Sequence, residues 1–234
     1  SVATFTDGVT QEDMDTLEGD LSADGHIDDF LLNCGYSDDV KSSEDTETAE
    51  YVIVDDKNAF KDYVTLRTRR KHNDVVLGDS GVVITEKLSK DLGIKKGDKI
   101  TVTSSTGKQT EAVVSGITEM YVNHYIYIST EYYNELFGNV PDNNRVLIKI
   151  NGDVSETESY MGDEYLTRDY IKGVSFLNAN ITRFENMIQS LDLVTWVLII
   201  SAGLLAFVVL YNLTNVNISE RRRAVSYTHL RAHE

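Results

Sequence analysis

The longest uninterrupted run of apolar positions in the chain covers residues 193–213, LVTWVLIISAGLLAFVVLYNL. No Asp, Glu, Lys, Arg or His occurs between Asp192 and Glu220. As a helix, 21 residues would be roughly 31 Å long, which is the thickness of the hydrocarbon core of a bilayer. The pattern predicts a membrane-spanning helix over residues 190–219. The alternative, a buried helix of a soluble protein, is disfavoured because such helices usually keep one polar face.

Four residues of this run have predicted roles at the membrane. Trp196 and Tyr211 lie near its two ends, where aromatic side chains are enriched at the interfaces between lipid and water. Ser201 and Gly203, on either side of an alanine, are small residues that would let a neighbouring helix approach closely. We expect other membrane helices of the same protein to pack here.

A basic cluster follows the apolar run. Glu220 is followed directly by Arg221, Arg222 and Arg223, and arginines close to the end of a span mark its cytoplasmic side. Residues 1–189 are therefore predicted to be extracellular, in a protein that resides in the cell membrane.

Shorter patterns predict a mixed fold for the extracellular part. Residues 9–21 have apolar positions at helical spacing, residues 50–54 (EYVIV) form a strand pattern, and residues 58–63 predict a short helix. The polar, acidic stretch between residues 37 and 49 predicts an extended hairpin arm or a mobile loop. Residues 1–78 form the first part of an α+β subdomain in this interpretation.

Residues 79–150 change to closely spaced strand patterns and are predicted to be an inserted β-rich subdomain. The predicted strands are residues 82–85, 99–103, 110–117, 121–128 and 145–150, and the predicted helices are residues 86–92 and 131–137. Residues 151–189 complete the first subdomain with a helix at 154–165, a strand at 173–177 and a helix from 181. No proline interrupts that last helix, so we expect it to continue unbroken into the span. The predicted fold class is a discontinuous α+β domain followed by one long transmembrane helix.

Charge excludes some functions of the extracellular part. Residues 1–192 contain 18 of the 22 basic and 36 of the 38 acidic residues, a net charge of −18. Such a domain lacks a basic footprint for nucleic acid, and anionic lipid headgroups would repel it. A solvated surface explains this charge. The charge also permits the binding of cations or cationic peptides, but it does not indicate such binding.

The single cysteine, Cys34, excludes an intramolecular disulfide.

No pattern of catalytic or metal-binding residues is present. The motifs of nucleotide-binding loops, zinc proteases, serine hydrolases and dinucleotide-binding folds are all missing. Residues 20–31 imitate a calcium-binding loop at several positions, but Leu31 occupies the last one, where a calcium loop needs an oxygen donor. His124 stands in a tyrosine-rich stretch that is interpreted as a packed sheet face. We therefore expect no enzymatic activity, no cofactor and no metal.

The segment 190–223 carries a resemblance to a known family. It resembles the second transmembrane helix of a permease module in FtsX-like ABC transporters, in particular the large permeases of Gram-positive bacteria. The LGxxxGD turn at residues 92–98 and the Tyr-x-Tyr strand at 125–127 also resemble the extracellular domain of MacB-like permeases. In that family a Glu-Arg-x-Arg-Glu signature begins a cytoplasmic coupling segment. Glu220, Arg221 and Arg223 match it, whereas Ala224 stands where an acidic residue is expected.

The resemblance implies a membrane subunit that couples a separate cytoplasmic ATPase to an extracellular domain. It implies as partners that ATPase, the missing transmembrane helices of the same permease, and in some members a second copy in a dimeric transporter. Residues 220–224 would begin the coupling segment. Residues 225–234 resemble a translated sequencing adapter and are interpreted as non-native, with a genuine cytoplasmic extension as the alternative. Because the chain starts with Ser1, we expect it to be a piece of a longer protein.

Two other function classes stay open at this point. One is a membrane-anchored extracellular sensor or binding domain without transport, and the other is a tethered enzyme. The transported substrate, if there is one, has no signature in the sequence.

Overall fold

The computed structural model describes residues 2–5, 9–151, 154–175 and 177–231. It contains nine strands among these residues: β1 Val2–Phe5, β2 Ile27–Lys41, β3 Thr46–Val54, β4 Val82–Thr85, β5 Lys99–Thr103, β6 Gln109–Thr118, β7 Tyr125–Ser129, β8 Arg145–Ile150 and β9 Ile171–Ser175. The helices are α1 Gln11–Ala23, α2 Lys57–Lys61, α3 Glu86–Asp91, α4 Thr130–Phe137, α5 Val154–Tyr165 and α6 Leu177–Arg231. The chain divides into two units, an α+β domain and the α6 unit that begins at Leu177.

Four strands form an antiparallel sheet in the order β2, β8, β1, β9. Helices α1 and α5 supply Leu17, Leu21, Met161 and Tyr165 to the core of this part. Helix α1 begins with a capping box, in which Thr10 and Asp13 each bind the backbone amide of the other. This cap satisfies two of the amides that a helix start leaves without partners, and so fixes where α1 begins.

The other five strands close with β2 into a six-stranded barrel. Around the barrel the order is β2, β3, β7, β4, β6 and β5, and β5 returns to β2 through Val40 and Lys41. Its interior is filled by buried aliphatic and aromatic side chains, among them Tyr51, Ile84 and Ile126. Helix α4 contributes the buried Tyr132 and Tyr133 to the same core.

Strand β2 belongs to both parts. From Ile27 to Asn33 it pairs with β8 of the sheet, and from Cys34 to Lys41 it pairs with β3 of the barrel. Its 15 residues would extend to roughly 50 Å. The sheet and the barrel therefore share one covalent strand.

The predicted fold class is confirmed: the domain is α+β and discontinuous, with a β-rich part inserted between strands of the sheet. The strand pairing nevertheless differs from the predicted bounds of 79 and 150. Strand β3, expected in the first subdomain, lies in the barrel, and β8, expected in the insertion, lies in the sheet beside β1 and β2. The predicted bounds are wrong because the acidic second half of β2 has no strong strand pattern in the sequence. In the structure this half is a strand that pairs with β3 and so draws β3 into the barrel.

A polar junction lies where β2 passes from the sheet to the barrel. The Asn144 side chain accepts a hydrogen bond from the Gly35 amide at 2.9 Å and donates one to the Gly35 carbonyl at 2.8 Å. The Arg145 guanidinium pairs with Glu50, and each side chain is 22% exposed. A Cβ atom at residue 35 would overlap that guanidinium. Because residue 35 is glycine and has no side chain, the Arg145 guanidinium has room to lie here and to pair with Glu50.

Candidate functional site: the apolar helix and its basic end

Helix α6 contains the predicted membrane-spanning segment. Within Leu191–Arg223, an 18-residue window has a mean hydropathy of 2.7, and none of that window is buried within the structure. Its apolar side chains are about half to two thirds exposed, for example 67% for Leu205 and for Phe207. By length and composition this helix is able to cross a membrane. A core helix of a soluble protein would instead have its apolar side chains buried by the rest of the chain.

The hydroxyl groups on this stretch bond to the backbone of their own helix. Ser201 donates to the carbonyl of Val197 at 2.7 Å, Thr195 to Leu191 at 3.0 Å, and Thr214 to Leu210 at 2.8 Å. In hydrocarbon each unsatisfied polar group costs several kcal/mol. Because the three hydroxyl groups donate to carbonyls of their own helix, they do not need a partner on another helix to avoid this cost.

The two aromatic residues of the predicted site lie on the exposed surface of α6. Trp196 is 64% and Tyr211 60% exposed. Fifteen residues separate them, so along a helix they lie roughly 22 Å apart. That separation is about three quarters of the ~30 Å hydrocarbon core, so in a centred helix each Cα atom lies roughly 4 Å inside a boundary, within reach of it for an aromatic ring.

The two small residues of the predicted site do not share a face of α6. Ser201 and Gly203 are two positions apart, which turns one about 200° from the other around a helix. A Cβ atom at Gly203 would meet open space. A single neighbouring helix could therefore use only one of them. Ala206 lies four residues after Ala202, so these two small residues share one side of the helix.

The basic cluster lies on the same continuous helix. Glu220, Arg221, Arg222 and Arg223 are all exposed and helical. Consecutive helical residues point about 100° apart, so the three guanidinium groups surround the helix instead of lining one side. The helix continues to Arg231, through most of the segment interpreted as non-native. The proposed origin of residues 225–234 stays a prediction, and residues 232–234 lie outside the described part.

The histidine and tyrosine residues of the tyrosine-rich stretch have structural partners within the domain. Strand β7 begins at Tyr125, one residue after His124, whose ring nitrogens lie 2.8 Å from an Asp91 carboxylate oxygen and 3.1 Å from the Thr48 carbonyl. The rings of Tyr125 and Tyr127 stack at 6.0 Å, as expected for a packed sheet face. Among the described residues no group of three or more His, Cys, Asp or Glu side chains could hold a metal ion.

Solved structures that are similar to this one include a periplasmic region and an extracellular domain. One is the periplasmic region of MacB from Actinobacillus actinomycetemcomitans, with 12% identity and a TM-score of 0.43, over 79% of this chain and 92% of that one. The other is the extracellular domain of the noncanonic ABC-type transporter YknZ from Gram-positive bacteria, with 11% identity and a TM-score of 0.44, over 75% of this chain and all of that one. No protein-family model and no curated protein matches the chain.

In residues 20–31, the segment that resembles a calcium-binding loop, the carboxylates of Asp20 and Asp24 bind other residues of the domain. Asp20 pairs with Arg168, and Asp24 accepts hydrogen bonds from the His26 amide at 2.9 Å and the Tyr165 hydroxyl at 3.0 Å. Burial acts to raise the pKa of Asp24, but these hydrogen bonds outweigh it and hold that pKa below its ordinary value of 3.8. The expectation that calcium does not bind stays a prediction.

Because the pKa of Asp24 is lowered in the folded domain, the contribution of Asp24 to stability should depend on pH. A folded-state pKa below the unfolded value stabilises the protein above the unfolded pKa, and this contribution is lost as pH falls through the folded value. We expect Asp24→Asn to lower the melting temperature at pH 7 and to have a smaller effect below about pH 3. Thermal melts across that range measure it. Tyr165→Phe is the control, because it removes one donor and should reproduce part of the effect; an equal effect of Asp24→Asn at both pH values would contradict the prediction.

Cys34 is buried beside a cavity of about 430 Å³ that Met14, Ile53 and Asp142 also line. The side chain is buried, and burial raises the pKa of its thiol to about 11. Because only the thiolate reacts, we expect the folded chain to react with an aromatic disulfide reagent at pH 8 about a hundredfold more slowly than the unfolded chain. Absorbance of the released thiol, with and without urea, measures the two rates. Equal rates would show that the thiol is accessible in the folded domain.

Proposed function

We propose that this chain is part of the membrane subunit of an ABC transporter. In the full-length, multi-pass protein, residues 1–189 would be extracellular, and a separate cytoplasmic ATPase would drive movement of this domain for export or for the transmission of force. The observation that carries the proposal is the continuity of α6, which joins the apolar stretch and the Glu220–Arg223 segment in one helix.

A continuous helix suits the transmission of movement. Proline, which would break the backbone hydrogen bonds, is absent from α6. A displacement at the cytoplasmic end can therefore reach the outer end as movement of one rigid element, as in known switching transitions. The Glu220–Arg223 segment is the proposed contact with the ATPase, since its match to the family signature lies at the predicted cytoplasmic end.

The composition of the span argues against a substrate path along this helix. Ionisable residues inside a membrane usually mark routes for ions or polar substrates. Between Asp192 and Glu220 there are none. The role of this helix would be mechanical, and ATP hydrolysis would belong to the partner, because the chain has no nucleotide-binding loop of its own.

The proposal is tested in the full-length permease by interrupting the helix outside the apolar run. A Pro-Gly pair in place of Met187 and Ile188 should uncouple the two ends. We expect unchanged binding of the ATPase subunit and loss of the extracellular response, read as a change in protease accessibility of the domain upon ATP addition. The matched control is Met187→Ala with Ile188→Ala, which keeps the helix continuous and should respond normally.

A second set of variants addresses the cytoplasmic end. Charge reversal at Arg221, Arg222 and Arg223 should weaken association of the ATPase, or change membrane orientation, and an orientation assay separates the two effects. A normal extracellular response from the Pro-Gly variant, at normal expression, would show that α6 does not transmit the movement. If no ATPase subunit associates with the full-length protein, the sensor or binding-domain alternative is favoured.

A further inference from the structure

The segment between α2 and β4 contains an irregular two-stranded ribbon, residues 64–77. Its two sides are joined by hydrogen bonds from the Val75 amide to the Leu66 carbonyl and from the Thr68 amide to the Asn73 carbonyl, both at 2.8 Å. It lies against the barrel, where Gly116 leaves room for the Val75 side chain. The ribbon is thus an ordered part of the domain. The function proposed above gives it no role.

The tip of the ribbon gathers positive charge in a strongly acidic domain. Arg69, Arg70, Lys71 and His72 are consecutive and exposed. Arg69 is held in place by Glu86, at 3.5 Å, and by the Tyr121 ring, whose centroid is 5.1 Å away. Within the described residues, Arg70 and Lys71 form no ion pair. Their charges are available to an anionic ligand.

An apolar groove runs along the same ribbon. It has a volume of about 230 Å³, and its lining includes the buried Phe60 and Leu77 and the exposed Val76. Val76 is 65% exposed. Lys57, Lys61 and Asp74 also line the groove. Lys57 is paired with Asp79 and Glu131, whereas Lys61 forms no ion pair within the described residues and is the cationic group available at this end of the groove.

We propose that the ribbon is a docking surface for an extended acidic segment of a partner protein, with one apolar side chain in the groove and carboxylates at the tip. Five residues separate Lys71 from Val76, a distance of roughly 17 Å along an extended strand. An extended peptide needs about five residues to cover it. Charge complementarity supports this occupant, because the rest of the domain repels an acidic segment and the tip attracts it.

The groove favours a polypeptide over a phosphate polymer. A phosphate polymer offers charge but no side chain for an apolar groove, whereas a peptide offers both. Screening at physiological ionic strength limits the attraction to about 8 Å, so a long polyanion would gain little at the tip and would contact acidic surface elsewhere. The proposal does not depend on the transporter function, since it concerns only the folded domain.

The test uses the full chain in nanodiscs of zwitterionic lipid. The probe is a fluorescein-labelled peptide that has a run of glutamates and one leucine, separated by about four glycine or serine residues, made in both chain directions. We expect one direction to bind with a Kd of about 1 mM or tighter by fluorescence anisotropy. Arg70→Glu with Lys71→Glu should weaken this binding at least about tenfold, and so should Val76→Asp.

The matched control is Lys95→Glu with Lys96→Glu, an equal charge change at two exposed lysines before β5. It should alter the Kd less than about twofold. Circular dichroism confirms that each variant is folded. The proposal is overturned if neither peptide binds, if the control weakens binding as much as the tip variant, or if polyphosphate displaces the peptide and binds the Val76→Asp variant as tightly as the wild type. That last result would identify a phosphate polymer as the occupant.

Discussion

Glu50→Gln is expected to lower the free energy of unfolding of the domain by about 3 kcal/mol. The Glu50 carboxylate pairs with the Arg145 guanidinium between the sheet and the barrel, and it also accepts a hydrogen bond from the Ser37 hydroxyl at 2.8 Å. The substitution removes the negative charge and leaves the arginine largely buried without a counter-charge. Breaking a buried pair from one side costs more than the pair contributes, because the remaining charge keeps its desolvation penalty. Urea unfolding of the full chain in detergent micelles, followed by circular dichroism, measures the change.

The control for this prediction is Glu111→Gln. Glu111 pairs with Lys99 at 2.9 Å, and each of these side chains is 66% exposed. Exposed pairs contribute little, so we expect a change below about 0.5 kcal/mol. Equal effects of the two substitutions would show that the junction pair is hydrated in solution and does not fasten the two parts of the domain.

Ile200→Asp with Leu204→Asp is expected to abolish membrane integration of α6. Both positions lie in the middle third of the apolar run, on one side of the helix. An aspartate near the centre of a span costs about 3 kcal/mol for insertion, so the pair costs about 6 kcal/mol. The integrated fraction should fall from nearly all to below about a tenth, as measured by alkaline extraction of membranes.

Ile200→Ala with Leu204→Ala is the matched control, because it shortens the same two side chains without adding charge. We expect that variant to integrate normally, since the surrounding run keeps its hydropathy. Integration of the aspartate variant at the wild-type level would mean that α6 lies along a polar cavity or is covered by protein, and does not face lipid.

The local elements of this fold could be predicted because their signals lie within a few residues. Residues 82–85, 99–103 and 145–150 were predicted as strands and are strands with those bounds. Helix α4 ends at Phe137 and is capped by Gly138, whose φ of 79° is the left-handed conformation that glycine adopts at helix ends. Such signals act through the backbone nearby and do not depend on the tertiary fold.

The division of the domain could not be predicted because it depends on distant pairings. Glu50 and Arg145 are far apart in sequence, and no local pattern shows that they meet. For residues 37–49 the sequence left open whether the chain forms an extended hairpin arm or a mobile loop, because acidic outward-facing residues are compatible with both. Hydrogen bonds to β3 over Cys34–Lys41 determine its conformation instead. Charge pattern indicates exposure, but it does not tell which strand will be the neighbour.

The candidate site was predictable to the extent that composition alone determines it. A long run without charges needs no tertiary information, so the span and its basic end follow from the sequence. The small residues were predicted less well, since adjacency in sequence was taken for adjacency on the helix surface. Ser201 and Gly203 point in different directions because of the helical rotation. The ribbon at residues 64–77 was not predicted, because its sequence has neither the period of a helix nor the alternation of a strand.

The double membership of β2 determines how the domain would carry a mechanical load. A torque applied to the four-stranded sheet reaches the barrel through a covalent backbone, and not only across a surface that can slide. The transition lies at Asn33–Cys34, beside Gly35, where the strand exchanges one set of neighbours for another. Bending there would leave the strand pairing on both sides intact but would disturb the Asn144–Gly35 hydrogen bonds and the Arg145–Glu50 ion pair. These contacts would therefore stiffen the domain against a pull at the one place where the strand pairing alone would let it bend.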